Sequence, residues 1–448
     1  MKYLYMPIET SKRELNSRLL ISIASLHHGF DKVIIGKDKE VINNIKQPGV
    51  ILLKSAASFE SHLIDKLKND GCLVCSLDEE GILPPLNDPS INSRFSEKCL
   101  MLLDKVFCNG MLELKSFPDW VRSSKKLVIT GNPRFDFYMP KTRNFYNNNL
   151  EEIRKLTQQK KIILIVSRFG DINLEKSVDL YGILKKSGFL ETEEAKLFFK
   201  GFFEHSDKIF NKFLDLPEIL SKVFKEYMVV IRPHPSEYED TWKNKYNNYS
   251  NILVSSDYDI ASWLLASSVM IHNGCTTAVE AKALNTPCIS YKPFSDEDFD
   301  LDYANNLCNI ATTNDDVVNI LNNLLMLNNC KDVYTQETLD KLNKIIMFNP
   351  EKLASSYIAS EMNKLLSKNL SIRKNKSFGV IFYFKEIFKY ILHLSKIRLD
   401  YSRKKYGYLS KYGYKNKINL INNSFNLNMN IRIKRIGLDI FSLEKEIK

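Results

Sequence analysis

The stretch MVVIRPHPSE, residues 228–237, holds a histidine between two prolines directly after an apolar run. An apolar run ending at proline predicts a buried strand, because proline fixes its own φ and disfavours helix in the residue before it. Arg232, His234 and Pro235 are therefore predicted to lie in a rigid loop at the carboxyl end of a strand. Ligands bind at such ends in open α/β sheets, where an ordered histidine can donate a hydrogen bond to phosphate. A purely structural loop is the alternative interpretation.

A second loop follows the apolar run SVMI and reads HNGCTTAVEA. Gly274 allows a tight turn, and the helix after it offers free backbone N–H groups and a positive dipole end to an anion. A capped helix that binds no ligand is the alternative. Taken together, the loop after SVMI and the loop around His234 predict a site for the phosphates of a nucleotide donor. The predicted donor-binding residues are Arg232, Pro235, His272, Asn273, Gly274, Thr276, Thr277 and Glu280.

Adjacent carboxylates follow a third apolar run, in CLVCSLDEEG. Asp78, Glu79 and Glu80 repel one another, so one pKa should rise toward the value that a general base needs. Such a base would take a proton from an acceptor hydroxyl group. An acidic surface turn before Gly81 is the alternative.

Polar residues at other predicted strand ends are candidates for substrate contact. In PIETSKREL, Arg13 would suit a sugar carboxylate through a bidentate contact, although solvated charges in a first helical turn are an equal alternative. The segments TGNPRFD and VSRFGD supply further candidates. The predicted substrate residues are Glu9, Arg13, Asp78, Arg134, Ser167 and Arg168.

Short apolar runs alternate with helical patterns over most of the chain, which predicts parallel sheets built from βαβ units. The runs form two series, so the predicted fold is α/β with two Rossmann-like doubly wound domains at residues 1–145 and 160–368, joined by a polar linker at 141–160. Two such domains in tandem would face each other across a cleft. This GT-B arrangement is shared by nucleotide-sugar transferases and sugar 2-epimerases, and the fold alone does not choose between them.

The chain resembles bacterial sialyltransferases and polysialyltransferases of GT-B fold in three motifs: Glu79–Gly81, His234–Pro235 and Thr276–Thr277. Over about residues 1–350 it is also similar to bacterial surface carbohydrate biosynthesis proteins, a group that includes relatives of CMP-Kdo transferases. The resemblance implies a base at Glu79 or Glu80, a catalytic His234 acting on the donor phosphate, and a phosphate held by the threonine pair. The pattern HNGxxxxxEA also occurs in transferases that use UDP-sugars or CDP-glycerol, which leaves the donor nucleotide open.

Neither the acidic nor the cysteine residues predict a metal site or a disulfide framework. FSDEDFDLD has the DxD spacing of metal-dependent GT-A transferases, at Asp298, Asp300 and Asp302. Because two Rossmann-like series argue against a GT-A fold, we interpret it as a solvated acidic loop and expect no essential metal or cofactor. The chain has eight cysteines, and the CxxC of Cys72 and Cys75 lies in an apolar run without a second pair, which favours buried thiols.

The positive charge of the chain is concentrated in residues 371–448, which hold 18 Lys and Arg against 5 Asp and Glu. Within this predicted tail, GVIFYFKEIFKYILHLSKIRL places basic residues along one stripe of an aromatic helix. That composition is typical of an interfacial membrane helix, so residues 379–417 are predicted to contact the inner membrane surface. A helix packed on the two domains is the alternative. No RNA-binding motif supports a nucleic-acid partner.

The combined interpretation is a glycosyltransferase that moves a sugar from a nucleotide donor to a glycan or glycolipid acceptor. The donor is expected to be a CMP-activated ulosonic acid such as Kdo or a sialic-acid relative. No signal peptide or apolar segment of membrane-spanning length is evident, so a cytoplasmic protein that can lie on the inner face of the plasma membrane is expected. The alternatives are a UDP-sugar 2-epimerase, a UDP- or CDP-dependent transferase of the same fold, and a non-enzymatic scaffold or sugar-binding subunit.

Overall fold

A computed structural model describes residues 1–57, 60–79, 96–175, 177–186, 188–326, 333–369, 410–437 and 439–446. The strands are β1 (Tyr3–Ile8), β2 (Lys32–Lys37), β3 (Val50–Leu53), β4 (Leu73–Leu77), β5 (Lys105–Cys108), β6 (Leu127–Ile129), β7 (Lys161–Val166), β8 (Tyr227–Arg232), β9 (Ile252–Val254), β10 (Val269–His272), β11 (Cys288–Tyr291), β12 (Asn309–Ala311), β13 (Ile431–Gly437) and β14 (Ile440–Lys445).

The helices that connect these strands are mostly two to four turns long. They are α1 (Ser11–His27), α2 (Asp38–Asn43), α3 (Ser61–Asn69), α4 (Glu97–Leu102), α5 (Met111–Ser116), α6 (Asp119–Arg122), α7 (Asn147–Leu156), α8 (Leu180–Lys186), α9 (Glu193–Phe213), α10 (Leu216–Val223), α11 (Asp240–Tyr246), α12 (Ile260–Ala266), α13 (Thr277–Ala283), α14 (Asp302–Asn305), α15 (Asn314–Met326), α16 (Gln336–Asn343), α17 (Ala354–Lys368) and α18 (Lys411–Phe425). Two 3₁₀ helices span Pro133–Tyr138 and Pro140–Tyr146.

The described residues form two compact units, 1–137 with 343–446 (unit 1) and 138–342 (unit 2). Unit 1 contains a sheet in the order β13-β14-β2-β1-β3-β4-β5-β6, in which β1 to β6 are parallel. The inner strands read as nearly continuous apolar runs and are buried, as expected when helices cover both faces of a parallel sheet.

Unit 2 contains a parallel sheet in the order β12-β11-β10-β7-β8-β9. From β7 the chain first adds β8 and β9 on one side, and then returns to add β10, β11 and β12 on the other. The strand order therefore reverses between β7 and β10, and the carboxyl ends of these two strands meet at a topological switch point. Together the two units confirm the predicted α/β fold with parallel sheets.

The segment predicted as a linker, residues 141–160, is instead a folded part of unit 2. It forms the second 3₁₀ helix and α7, with Ile153 fully buried. The Asn149 side chain donates to the Asp259 carboxylate (2.9 Å), which ties α7 to the start of α12. The segment looked like a linker because the exposed face of α7 is rich in Asn and charge, whereas its buried face depends on a few residues.

The boundary predicted at residue 368 and the predicted tail also need correction. Helix α17 belongs to unit 1, where Glu361 pairs with Lys105 (2.7 Å). Further along, α18 and the hairpin of β13 and β14 pack in the same unit, and β14 pairs antiparallel with β2. Pairing covers what would otherwise be an exposed sheet edge. Residues 379–409 of the predicted membrane segment lie outside the described residues, and 411–417 form the first turns of α18, where Tyr414 is buried.

The cysteines of the described residues are buried or half-buried, and two of them form a disulfide. Cys72 and Cys75 are buried thiols, in agreement with the sequence analysis, and burial raises the pKa of each. Cys288 and Cys308 are joined by a disulfide that links β11 to the residue before β12, which the sequence analysis did not anticipate. Among the described residues no helix is long and apolar enough to cross a membrane.

Candidate functional site

The switch point of unit 2 brings together two polar loops that are a hundred residues apart in sequence. Arg168 follows β7, and Asn273 and Gly274 follow β10. The Arg168 guanidinium donates through Nε and one terminal nitrogen to Asn273 Oδ1, at 3.3 and 3.2 Å. Asn273 is itself fixed, because it is buried and donates to the Tyr291 carbonyl (2.8 Å). The position where open α/β sheets bind ligands therefore carries a guanidinium held in place by an amide.

Arg168 is a desolvated cation without a matching anion. Burial lowers the pKa of its guanidinium, while Asp171, Cys275 and Asp300 oppose that shift only at longer range. In the described part of the chain no carboxylate forms an ion pair with it. The Phe169 and Phe202 rings each lie 5.9 Å from the guanidinium carbon and supply part of its surroundings. A half-buried positive charge of this kind has a preference for an anionic ligand.

The His234 side chain is oriented by its own loop. The Ser236 backbone N–H donates to His234 Nδ1 (3.3 Å), and the Ser236 hydroxyl lies 2.7 Å from the same nitrogen. A backbone N–H can only donate, so Nδ1 is an acceptor and the proton of the neutral ring is on Nε2. Partial loss of solvent lowers the pKa of His234, which favours this neutral form. His234 Nε2 can therefore donate to an oxygen of a ligand.

The loops after β7 and β8 are joined by a buried carboxylate that the sequence analysis missed. Glu237 Oε1 accepts from the backbone N–H groups of Phe169 and His234, at 3.0 Å each. Its Oε2 accepts from Asn173 (3.2 Å) and from Trp242 Nε1 (2.9 Å). Nothing in RPHPSE marks this glutamate as buried, because its four donors come from both loops and from α11.

Arg232, predicted to bind the donor, is bonded to the backbone of a neighbouring loop. Its guanidinium donates to the backbone carbonyls of Asp257 and Tyr258, at 2.7 Å each, and so holds the loop between β9 and α12. Two strong hydrogen bonds already occupy the fork of this side chain. Phosphate binding by Arg232 stays a prediction, and Pro235 is exposed beside His234.

His272, predicted to bind the donor, is a fully buried structural residue. Its Nδ1 accepts from the Cys275 backbone N–H (3.3 Å), and its Nε2 lies 3.2 Å from Cys308 Sγ. Burial, with the nearby Arg168 charge, lowers the pKa of His272 from 6.5 to about 3. The buried ring is bonded to the loop after β10 through Cys275, and donor binding by His272 stays a prediction.

Acid should destabilise the protein through His272. Between pH 6.5 and about 3 an unfolded chain binds a proton at this ring and the folded chain does not. The free energy of unfolding should therefore fall by about 1.4 kcal/mol per pH unit from this residue as the pH drops below 6. Urea unfolding of wild type and His272→Asn at pH 7, 6 and 5 measures the difference in slope. The exposed His62→Asn should keep the wild-type slope, and an equal slope in His272→Asn would contradict the assignment.

The other predicted residues of the loop after β10 differ in how accessible their side chains are. Gly274 has φ +46°, a conformation that favours glycine. Its N–H donates to Asn305 (2.9 Å), and its backbone lies close to the Arg168 guanidinium. Thr276 is half-buried at the start of α13, whereas Thr277 is buried and within 3.2 Å of Cys275 Sγ. Glu280 is buried and accepts a hydrogen bond from the Tyr138 hydroxyl (2.5 Å). Of these three side chains, Thr276 is the most accessible to a ligand.

In unit 1, Glu79 is buried in an ion pair. Its Oε1 lies 2.6 Å from Arg18 Nε, although the angle is not that of a hydrogen bond, and the Ser17 hydroxyl donates to Oε2 (2.6 Å). Arg18 is fully buried and also donates to the Leu52 carbonyl (2.8 Å). Burial raises the pKa of Glu79, and the Arg18 charge opposes that shift. This carboxylate is already bound on both oxygens, while Glu80 lies outside the described residues.

The remaining predicted substrate residues are divided between unit 1 and unit 2. Glu9 pairs with Lys54, and Arg13 lies 3.9 Å from Glu14. The backbone carbonyl of Asp78 accepts from Asn109, and the backbone N–H of Arg134 donates to Asn132. Ser167 is buried beside Arg168, and its hydroxyl has no hydrogen-bond partner among the described residues.

The DxD segment is not the solvated loop that the sequence predicted. Asp300 is buried, pairs with Lys292 (2.9 Å), and lies 3.3 Å from His205 Nε2. Asp298 and Asp302 are exposed. The central carboxylate is thus paired with the Lys292 ammonium, and within the described residues no group of acidic, histidine and cysteine side chains is arranged to hold a metal.

Comparison with known proteins identifies the family. The sequence profile of the CDP-glycerol:poly(glycerophosphate) glycerophosphotransferases matches residues 116–346, slightly more than half of the chain. The chain belongs to this family. As a glycerophosphotransferase family member it is a nucleotide-dependent transferase of surface glycopolymer biosynthesis, and the matched residues include both loops of the switch point. No curated protein matches the chain.

Two solved structures of a teichoic acid polymerase share the fold of this glycerophosphotransferase family member. A variant of the wall teichoic acid polymerase TagF has a TM-score of 0.52 at 14% identity, covering 82% of this chain and 90% of that one. Another TagF variant, soaked with CDPG, has a TM-score of 0.51 at the same identity and coverage. A UDP-GlcNAc 2-epimerase from Neisseria meningitidis bound to UDP-GlcNAc has a TM-score of 0.45 at 14% identity, covering 80% of this chain and 84% of that one. The TagF similarities confirm a GT-B type of α/β fold.

Proposed function

We propose that the protein transfers glycerol phosphate, or a related polyol phosphate, from a CDP-activated donor to a growing surface glycopolymer. The observation that carries this proposal is the desolvated Arg168 guanidinium at the switch point of unit 2, which pairs with no carboxylate of the described residues. A diphosphate offers the two adjacent anionic groups that such a guanidinium binds best. Family membership and the CDPG-soaked TagF variant support a cytidine nucleotide as the carrier of that diphosphate.

The proposed reaction is a displacement at phosphorus. A hydroxyl oxygen of the acceptor attacks the β-phosphorus of the donor, the bond from that phosphorus to the bridging oxygen breaks, and CMP leaves. The hydroxyl proton passes to a base, and negative charge accumulates on the departing phosphate. Arg168 and His234 Nε2 would donate to phosphate oxygens as this charge develops. Such electrostatic stabilisation of the transition state usually makes the largest contribution to the rate of phosphoryl transfer.

The identity of the base stays a prediction. Glu79 is held by Arg18 and Ser17, so Glu80 is the acidic residue of the DEEG motif that we propose for this role. We also propose that no protein-bound metal is required, because the phosphate charge is met by protein donors. Contact of residues 379–417 with a membrane remains a prediction from their composition.

The choice of donor is tested by nucleotide binding. Titration calorimetry with CDP, CMP, UDP and GDP in the presence of EDTA should give selective binding of CDP, and glycerol phosphate from CDP-glycerol should then appear in polymer on a poly(glycerol phosphate) primer. The prediction of a CMP-activated ulosonic acid would replace ours if CMP bound as well as CDP and CMP-sialic acid or CMP-Kdo were consumed. Selective UDP binding would favour the UDP-dependent alternatives, and binding of none would contradict the proposed function.

A further inference from the structure

The Glu237 carboxylate joins the loop after β7, which carries Arg168, to the loop after β8, which carries His234. It is 9% exposed and accepts four hydrogen bonds, two on each oxygen. The donors on Oε1 are the backbone N–H groups of Phe169, next to Arg168, and of His234 itself. Because a single oxygen receives both, this atom ties the backbone beside Arg168 to that of His234, in addition to the backbone bonds Ser167 N–H to the Arg232 carbonyl (3.0 Å) and Tyr238 N–H to the Asn173 carbonyl (2.8 Å).

We propose that Glu237 is a positioning residue that holds Arg168 and His234 at the separation needed to bind the donor diphosphate. This role rests on the proposed function. It requires the ionised carboxylate, because every partner of Glu237 in these four bonds is a donor and a carboxylate is an acceptor only. A buried carboxylate bound by N–H donors alone is also hard to replace, since loss of its acceptor sites leaves those donors unsatisfied.

The isosteric substitution Glu237→Gln separates this role from simple space filling. Whichever way the amide turns, its NH₂ group must face either the two backbone N–H groups or Asn173 with Trp242. Two bonds are then lost, and one loop is released or the side chain rotates away. Glu239→Gln is the matched control, because Glu239 lies two residues away, directly before α11, and forms a partly exposed ion pair with Lys243.

Calorimetric CDP titration of wild type, Glu237→Gln, Glu237→Asp and Glu239→Gln tests the proposal. We expect Glu237→Gln to raise the Kd for CDP about tenfold, Glu237→Asp to raise it less because it keeps the charge, and Glu239→Gln to leave it within twofold. In a His234→Ala background the effect of Glu237→Gln should shrink to threefold or less, because part of it acts through the histidine. Thermal unfolding of each variant establishes that the folded protein is titrated.

Two results would overturn the proposal while leaving the proposed function intact. One is wild-type CDP affinity in Glu237→Gln. The other is an effect of the same size with and without His234 and Arg168, which would indicate a general loss of structure. If the wild type bound no nucleotide, the proposed function would fail, and this role with it.

Discussion

Replacing Arg168 by alanine is expected to lower kcat/KM for the CDP-activated donor by about 10²- to 10³-fold, the usual effect of removing one positioned donor from developing charge. The same substitution should leave the protein as stable as the wild type or more stable. The desolvation of the guanidinium, which has no carboxylate partner among the described residues, offsets its two hydrogen bonds to Asn273, so the ligand-free protein loses little when both are removed. A residue that reduces stability and supports activity is typical of a binding site.

Steady-state kinetics with varied donor and thermal unfolding, with and without CDP, measure both effects in the same samples. Arg168→Lys keeps the charge but not the planar fork, and should recover only part of the activity. The exposed Arg154→Ala serves as the control for loss of an arginine in unit 2. A variant at Arg168 that lost stability and activity in parallel would show that the side chain is structural.

Replacing Glu79 by alanine is expected to lower the free energy of unfolding by about 3–5 kcal/mol, because it leaves the fully buried Arg18 without its anion. Chemical denaturation measures this loss. The double substitution Arg18→Met with Glu79→Gln removes both charges and should recover a large part of the stability. Glu9→Gln, which breaks the partly exposed pair with Lys54, should cost no more than about 1 kcal/mol and serves as the control.

The same variants separate an anchoring role of Glu79 from a catalytic one. If Glu79 only anchors α1 through Arg18 and Ser17, Glu79→Gln should be less stable but keep most of its kcat per folded molecule. If Glu79 is the base, its kcat should fall by 10² or more in protein that is fully folded. A Glu79→Ala variant within 1 kcal/mol of the wild type would contradict the ion-pair argument.

Much of the architecture could be predicted from local patterns. Apolar runs such as KIILIV and YMVVI are long enough and β-branched enough to predict buried parallel strands, and the polar residues after them predict loops at one edge of the sheet. The elements that were missed have weaker patterns. Helix α7 is mostly polar, and β13 and β14 follow an Asn-rich segment at the end of a basic region, so their place in the sheet depends on pairing with β2.

Which arginine is available to a ligand could not be read in the same way. Arg168 and Arg232 each follow a buried strand, and the prolines around His234 made the second one look more specialised. The structure reverses the order, because Arg232 donates to carbonyls of a loop 25 residues away, while Arg168 lies where the strand order reverses. Strand order depends on which strands pair, and no local pattern encodes that pairing.

The sequence by itself determined the fold class of this protein and the loops that carry its polar residues, because the period of apolar residues and the positions of proline and glycine act locally. Only the tertiary structure decided which charged side chains are already paired. Glu79, Arg232 and Asp300 meet Arg18, the Asp257 carbonyl and His205, which are 25 or more residues away, whereas Arg168 meets an amide and two rings. Whether a charge is available to a ligand depends on its neighbours in space, which are set by packing.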